Sequence, residues 1–228
     1  MNARMPRWHR FVGPLLVLPL VTWMVTGVLF HLKHRYDEAY EPLQVPPPHG
    51  RPVSFAEARI SAAQILARVT AEPGARPSLI AHPRGVPAWV LTLKDGETLL
   101  VDAQSGQPMP EATVDEALGW ARAAVSQSAH AHRYGEITGH EEVNAPSPSG
   151  SRALSVHFSG GKTVTVDRFT GEVTQTGALN DFIDWTYRIH YLQWTPWKTV
   201  NMALVILAVP LVLFLALSGL WMARRPRR

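Results

Sequence analysis

Histidine is the residue type in this chain best equipped for chemistry near neutral pH, because imidazole titrates there and its neutral ring nitrogen ligates metals. The 228 residues include ten histidines and no cysteine. Four histidines stand where apolar runs meet their flanks: His9, His31, His34 and His190. His190 lies in YRIHYLQWTPWKTVN, from Tyr187 to Asn201. A purely structural reading competes. Trp185, Tyr187, Tyr191, Trp194 and Trp197 form an interfacial aromatic belt, and a histidine in such a belt can snorkel to water without ligating anything. Elsewhere, HAHRY sets His130 and His132 two residues apart, a spacing that can chelate a metal from a strand. No third ligand follows, and a helix-end loop is the simpler reading. His140 beside Glu141 and Glu142 reads as a solvated loop, and His157 as a surface residue of a strand. Asp102 and Asp167 invite an acid–base role, but they recur at matching turns, which points to structure. The missing cysteine excludes disulfides, iron–sulfur clusters, zinc-thiolate sites and covalent haem attachment through C-x-x-C-H. No G-x-S-x-G, H-E-x-x-H, Walker, flavin or nicotinamide fingerprint is present.

The elements that position these residues begin with two uncharged apolar runs, Phe11–Leu32 and Val200–Met222. Each exceeds the roughly 20 helical residues that cross a hydrocarbon core. A mean hydropathy of -0.03 conceals them, because the long segment between is polar. A cleaved signal peptide is the rival for the first run, but no A-x-A-like site follows it; HLKHRYDEAY comes instead. Arg4, Arg7 and Arg10 flank the first run, and Arg224, Arg225, Arg227 and Arg228 follow the second. Basic flanks stay in the cytoplasm, so both termini are expected inside and the central segment outside. The pI of about 9.7 is then a topology signal, and no nucleic-acid partner is expected. Pro14, Pro19 and Pro210 are expected to kink the spans. Thr22, Thr26 and Gly27, and Ser218-Gly219, offer small-residue strips where helices approach closely.

The central segment opens with a proline-rich spacer, Glu41–Pro52, and then repeats one pattern. Ser54-x-x-Glu57 and Thr113-x-x-Glu116 each read as a capping box that opens a helix, ending near Val69 and Val125 respectively. After them, AWVLTLKDGETLLVDAQSGQPM and ALSVHFSGGKTVTVDRFTGEVT alternate as two strands joined by an Asp-Gly or Gly-Gly turn. Each second strand closes in V-D-x-x-[ST]-G, at Val101–Gly106 and Val166–Gly171. Two copies of a helix followed by a small antiparallel sheet are predicted. Near the second span, Thr195-Pro196 reads as N-cap and N1 of the membrane helix. The segment before it reads as a separate surface helix capped by Asn180 or Asp181.

The VDAQSG and VDRFTG units, with WHRFVGPLLVLPLVTWMVTGVLF before them and RIHYLQW and LFLALSGLWMARR after, resemble the PepSY-associated transmembrane proteins. That family includes iron-regulated inner-membrane proteins and siderophore-iron reductases. The resemblance implies an α+β membrane protein with two transmembrane helices flanking a periplasmic domain. The expected organisation is a cytoplasmic flank at 1–10, a membrane helix at 11–32 and a spacer at 33–52. PepSY-like units follow at 53–110 and 111–178, a juxtamembrane amphipathic helix at 179–195, a second membrane helix at 196–222 and a basic tail at 223–228. The location implied is the bacterial inner membrane, with both termini inside. The resemblance further implies haem b held by histidine pairs and electron transfer toward periplasmic ferric or siderophore iron. Without a nucleotide site, electrons would come from quinol or a separate reductase.

Ligand geometry limits that expectation. His9 and His31 are 22 residues apart, about 33 Å along a helix, so they serve different membrane levels. His31 first, and His34 one turn beyond it, are the outer ligand candidates, with His190 as their partner. His9 finds no inner partner on the second span, so pairing it requires a homodimer or another membrane protein. Larger family members have four helices and more histidines, and a complete four-helix site would likewise require a second copy. A non-enzymatic, membrane-anchored binding or accessory module is the alternative function.

Overall fold

The computed structural model describes residues 7–32, 36–69, 75–93, 97–144 and 152–223, with side chains for these except 7–16, 18, 49, 68, 69 and 220–223. The chain forms two compact units, Glu38–Ala178, and Met1–Asp37 together with Leu179–Arg228. Among the described residues there are five α-helices and two antiparallel sheets.

In the central unit, helix α2 (Ala62–Val69) precedes a sheet of β1 (Arg76–Ala81), β2 (Pro87–Thr92) and β3 (Thr98–Asp102), in the order β1-β2-β3. Helix α3 (Val114–Ser126) precedes a sheet of β4 (Ile137–Asn144), β5 (Arg152–Phe158), β6 (Lys162–Asp167) and β7 (Val173–Gly177), in the order β4-β5-β6-β7. The buried stripe of α3 is Ala117, Ala121, Ala124 and Val125, spaced at the period of a helix with one apolar face. Its small side chains let the helix lie close on Leu154, Val156, Phe158, Val164 and Val166 of the sheet. The first copy has a smaller core, in which Ile65 of α2 meets Leu91 and Val101.

The expected capping box at Thr113 is present. Thr113 Oγ1 accepts from Glu116 N–H at 3.2 Å, and Glu116 Oε2 accepts from Thr113 N–H at 2.9 Å. The corresponding expectation at Ser54 is corrected. Phe55–Glu57 is only a short 3-10 turn, and Ser54 makes no side-chain cap. The reason is tertiary: the N–H groups of Arg59 and Ile60 both donate to the Ala103 carbonyl at 2.9 Å, and the Trp89 indole donates to the Ile60 carbonyl at 2.8 Å. This segment serves the sheet, and the helix starts after it under a different box. Ser61 N–H donates to Gln64 Oε1 at 2.8 Å, and Gln64 N–H to Ser61 Oγ at 3.3 Å.

The V-D-x-x-[ST]-G endings fold alike. Asp102 Oδ1 accepts from Gln104 N–H at 2.7 Å and Ser105 N–H at 3.0 Å. Asp167 Oδ1 accepts from Phe169 N–H at 2.7 Å and Thr170 N–H at 3.0 Å. Gly106 and Gly171 follow at φ 75° and 73°, the left-handed region that favours glycine. The aspartates therefore cap turns. Beyond the turn the copies diverge. In the second, Val173–Gly177 pairs with β6 as β7. In the first, Pro108 makes a single bridge to Val101, and Pro110 follows; neither proline has an N–H to extend the ladder. The Gly160-Gly161 turn joins β5 to β6, with Gly161 at φ 75°. The expected Asp95-Gly96 turn lies outside the described residues. The HEE segment expected as a loop is instead part of edge strand β4, with one face in solvent.

The second unit holds α1 (Arg7–His31), α4 (Ala178–His190) and α5 (Lys198–Ala223). Helix α4 begins at Ala178, so Asn180 and Asp181 are inside it and not its caps. Among the described residues one helix is long and apolar enough to cross a membrane, over Lys198–Gly219, with none of that window buried. The described apolar part of α1 is Pro19–His31, which is shorter. The helices continue through Pro14, Pro19 and Pro210.

The start of α5 is also corrected, from Thr195-Pro196 to Lys198. Asn201 N–H donates to the Trp197 carbonyl at 3.1 Å, which makes Trp197 the N-cap. Thr195 is held outside the helix. Asn201 Oδ1 accepts from its N–H at 3.0 Å and its hydroxyl at 2.8 Å, while Asn201 Nδ2 donates to its carbonyl at 2.7 Å. Helix α4 ends in a Schellman motif: Gln193 N–H donates to the Arg188 carbonyl at 2.8 Å and Leu192 N–H to that of Ile189 at 3.2 Å. The left-handed position falls on Leu192, at φ 53°.

Candidate functional site

His190, the last residue of α4, is half-buried against α1. Its Nδ1 lies 3.0 Å from Thr26 Oγ1. The Thr26 side chain is itself buried, and its hydroxyl reaches back to the Thr22 carbonyl at 2.9 Å and the Trp23 carbonyl at 3.1 Å. With its single hydrogen directed at those carbonyls, Thr26 Oγ1 has lone pairs to offer His190. Thr26 then accepts from Nδ1–H, which leaves Nε2 as the nitrogen with a lone pair. The ring stacks on Trp23 at 5.2 Å and 16° and meets Phe30 edge-on at 4.7 Å. Phe30 in turn stacks on Tyr187 at 4.5 Å. Gly27 lies beside the ring, where a Cβ would meet His190 Cε1 at an ordinary van der Waals distance of 3.6 Å. Trp23, Thr26, Gly27 and Phe30 share one face of α1 through the three- and four-residue spacing of the helix.

His31 ends α1 and is exposed. It lies at the same end of the helix as the His190 niche, but among the described residues the ring contacts of His190 are with Trp23, Phe30 and Tyr191, not with His31. His34 lies outside the described residues, and so does the side chain of His9. His130 and His132 fall at the short turn Ala131–Arg133 after α3. His157 sits in β5 with Nε2 3.5 Å from Glu141 and Nδ1 3.2 Å from Thr163. Among the described residues, no three His, Cys, Asp or Glu side chains are grouped to hold a metal ion.

The sequence offered Thr26 as a small residue and as one matching the family's opening helix, but gave no role to Trp23 and Phe30; their spacing of three and four was the available signal. It missed His82 entirely. His82 is 1% exposed, at the turn between β1 and β2. Its Nδ1 accepts from Arg84 N–H at 3.2 Å, and its Nε2 lies 3.2 Å from the Phe169 carbonyl, so the neutral ring bridges the two repeats. Trp120 of α3 meets it edge-on at 5.6 Å. Burial pushes the imidazole down to about 4; the Phe169 bond opposes this, and nearby Arg84 adds to it. Arg84 reaches across to α3, its Nε and Nη2 each donating to Glu116 at 3.1 Å. That bidentate bond, joined by the Thr113 N–H, holds the Glu116 carboxyl down at about 2.

A second ion pair, of buried Lys162 with half-buried Glu38, ties the start of the central unit to its sheet. Lys162 is 6% exposed, with Nζ 2.8 Å from Glu38 Oε1 and 5.1 Å from the Tyr134 ring centre. The hydrogen bond from Lys162 lowers the Glu38 pKa against the opposing effect of burial. Gln175 of β7 donates to the Glu38 carbonyl at 2.7 Å.

Comparison with curated proteins and with solved structures gave no match. A family profile described as the PepSY-associated TM region matches residues 6–228. The match takes in the apolar helices at both ends as well as the paired helix-and-sheet copies between them. The chain therefore belongs to the PepSY-associated transmembrane family, and is a membrane-associated PepSY protein.

Proposed function

We propose that this protein is an electron-transfer component of a bacterial inner membrane, holding b-type haem and serving reduction of ferric or siderophore iron outside the cytoplasm. One observation carries the reading: Nδ1 of His190 is engaged by a buried threonine hydroxyl, which leaves Nε2 able to ligate. A ligating histidine is ordinarily fixed in this way, with its other ring N–H bonded to a neighbour. His190 would be one of the residues that hold the haem, with Thr26 setting its tautomer and Trp23 and Phe30 holding its ring. His31, or His34 after it, would be its partner in the same chain, and His9 would serve a site shared with a second subunit or a partner membrane protein. Haem supplies one-electron chemistry at iron. Quinol or a separate reductase is the donor class, because no nucleotide fingerprint occurs in the sequence.

The protein purified in detergent from haem-replete cells is expected to show a low-spin reduced-minus-oxidised spectrum. His190→Ala should abolish it and His31→Ala should do the same, while His9→Ala should leave an outer haem untouched. A band that survives His190→Ala would return His190 to the interfacial aromatic belt, and a colourless wild-type protein would remove the haem reading. The second reading is then the accessory module. It is favoured by an open groove of about 960 Å³ in the central unit, lined in part by Tyr40, Ile80, Val90 and Val173.

The proposed topology places both termini in the cytoplasm and the central unit in the periplasm, with α1 as well as α5 crossing. Its support is the arginines beyond both apolar runs. A reporter enzyme active only in the periplasm should work when fused after Gly150 and stay silent when fused after Arg228. Activity at Arg228 would reverse the C-terminal assignment.

A further inference from the structure

The turn from α4 into α5 builds an amphiphilic groove of about 830 Å³ at the head of the apolar span. Its lining grades along the helix. Arg188 and Lys198 supply two cations, Tyr191 and Trp194 supply aromatic sides, and Met202 and Ile206 continue it onto the apolar surface of α5. Among the described residues neither cation takes part in an ion pair, and both are exposed. Met202 and Ile206 are 54% and 64% exposed, so the apolar end of the groove opens outward.

We infer that this groove binds one anionic phospholipid, with its phosphate on Arg188 and Lys198 and an acyl chain along Met202 and Ile206. Three features support this occupant. Two unpaired cations attract a phosphate and favour anionic over zwitterionic headgroups. The polar-to-apolar gradient follows the span itself, so a ligand with a charged head and a long apolar tail satisfies both ends, whereas a free anion leaves the apolar end unused. The groove is also preformed. The Schellman end of α4 turns the chain at Leu192, and Asn201 clasps Thr195 through three hydrogen bonds of 2.7–3.0 Å. The cations therefore stand on a fixed turn. The site rests on α5 lying in a membrane and is independent of any haem.

The test uses the full chain in a neutral detergent, with phosphatidylglycerol, phosphatidylcholine of the same acyl chains, and inorganic phosphate as probes. Native mass spectrometry should show one phosphatidylglycerol retained in preference to phosphatidylcholine. In the Arg188→Gln/Lys198→Gln double variant that preference should fall about tenfold or more, since each basic contact to an anionic headgroup near the membrane is worth several-fold in affinity. The charge-keeping Arg188→Lys/Lys198→Arg variant should retain most of it. Arg122→Gln, which removes one charge from the exposed face of α3, should change nothing, and circular dichroism confirms that each variant is folded. Equal retention of the two lipids by the wild type would overturn the inference. So would displacement of phosphatidylglycerol by millimolar inorganic phosphate, which would mark a small-anion site, or an undiminished preference in the double variant.

Discussion

Lowering the pH from 7.5 to 4.5 is expected to loosen the central unit by about 3 kcal/mol, and His82 is the cause. Its folded pKa is about 4 against an ordinary 6.5. Between those values the unfolded chain binds a proton that the folded chain refuses, so stability falls as pH drops through 6.5 and levels off near 4. A charged His82 would have to be accommodated at a buried site where Nδ1 accepts from Arg84 N–H. The Glu116 contribution has the same direction in a lower window, from about 4.5 to about 2, because its folded pKa is depressed. The two effects therefore separate. Hydrogen exchange of the β1–β2 turn, corrected for intrinsic rates, should show opening that increases between pH 6.5 and 5. His82→Asn should cost about 1–3 kcal/mol at pH 7.5, because the Phe169 carbonyl loses its partner, and should flatten the profile over that window. An unchanged profile in the variant would show that His82 does not govern it.

Gly171→Val is expected to be the most damaging of the turn substitutions, on the order of 3–5 kcal/mol, and worse than Gly106→Val. Both positions have φ above 70°, and a β-branched residue there costs about 1–3 kcal/mol. At Gly171 a second cost adds, because a new Cβ would fall on the Pro83 ring. Pro83 belongs to the turn that carries His82 and Arg84, so this clash pushes against the joint between the repeats. Thermal melting of the two variants should rank them. Pro83→Ala should recover part of the loss in Gly171→Val and none in Gly106→Val, a coupling that a double-mutant cycle measures. Equal losses at the two glycines, or no recovery, would show that the Pro83 approach contributes nothing.

These two predictions meet at one place. His82, Pro83 and Arg84 occupy a single turn between β1 and β2. From it His82 reaches Phe169, Pro83 covers Gly171 and Arg84 clamps Glu116. The two helix-and-sheet copies are thus joined by the hairpin turn of the first, placed over the turn and helix start of the second. Glu116 serves twice, in the capping box of α3 and as partner to Arg84.

Local rules were enough to read much of this from the chain itself. The V-D-x-x-[ST]-G turns were legible because an aspartate that caps its own turn and a left-handed glycine act within five residues. The Thr113 box was legible for the same reason, and the apolar run of α5 needs only composition. The Ser54 box failed because a local signal met a stronger distant partner, the Ala103 carbonyl that holds Arg59 and Ile60. The start of α5 shifted because Asn201 reaches back and holds Thr195 outside the helix. His190 could be singled out by its setting, but its bond to Thr26 joins residues 164 positions apart. His82 carried no signal of its own, since its burial comes from Trp120 and Phe169 on the other repeat. Short-range hydrogen bonding and polarity are written in the order of residues. Which polar group is buried, and therefore which one titrates or presents a free ring nitrogen, depends on what the chain folds against it.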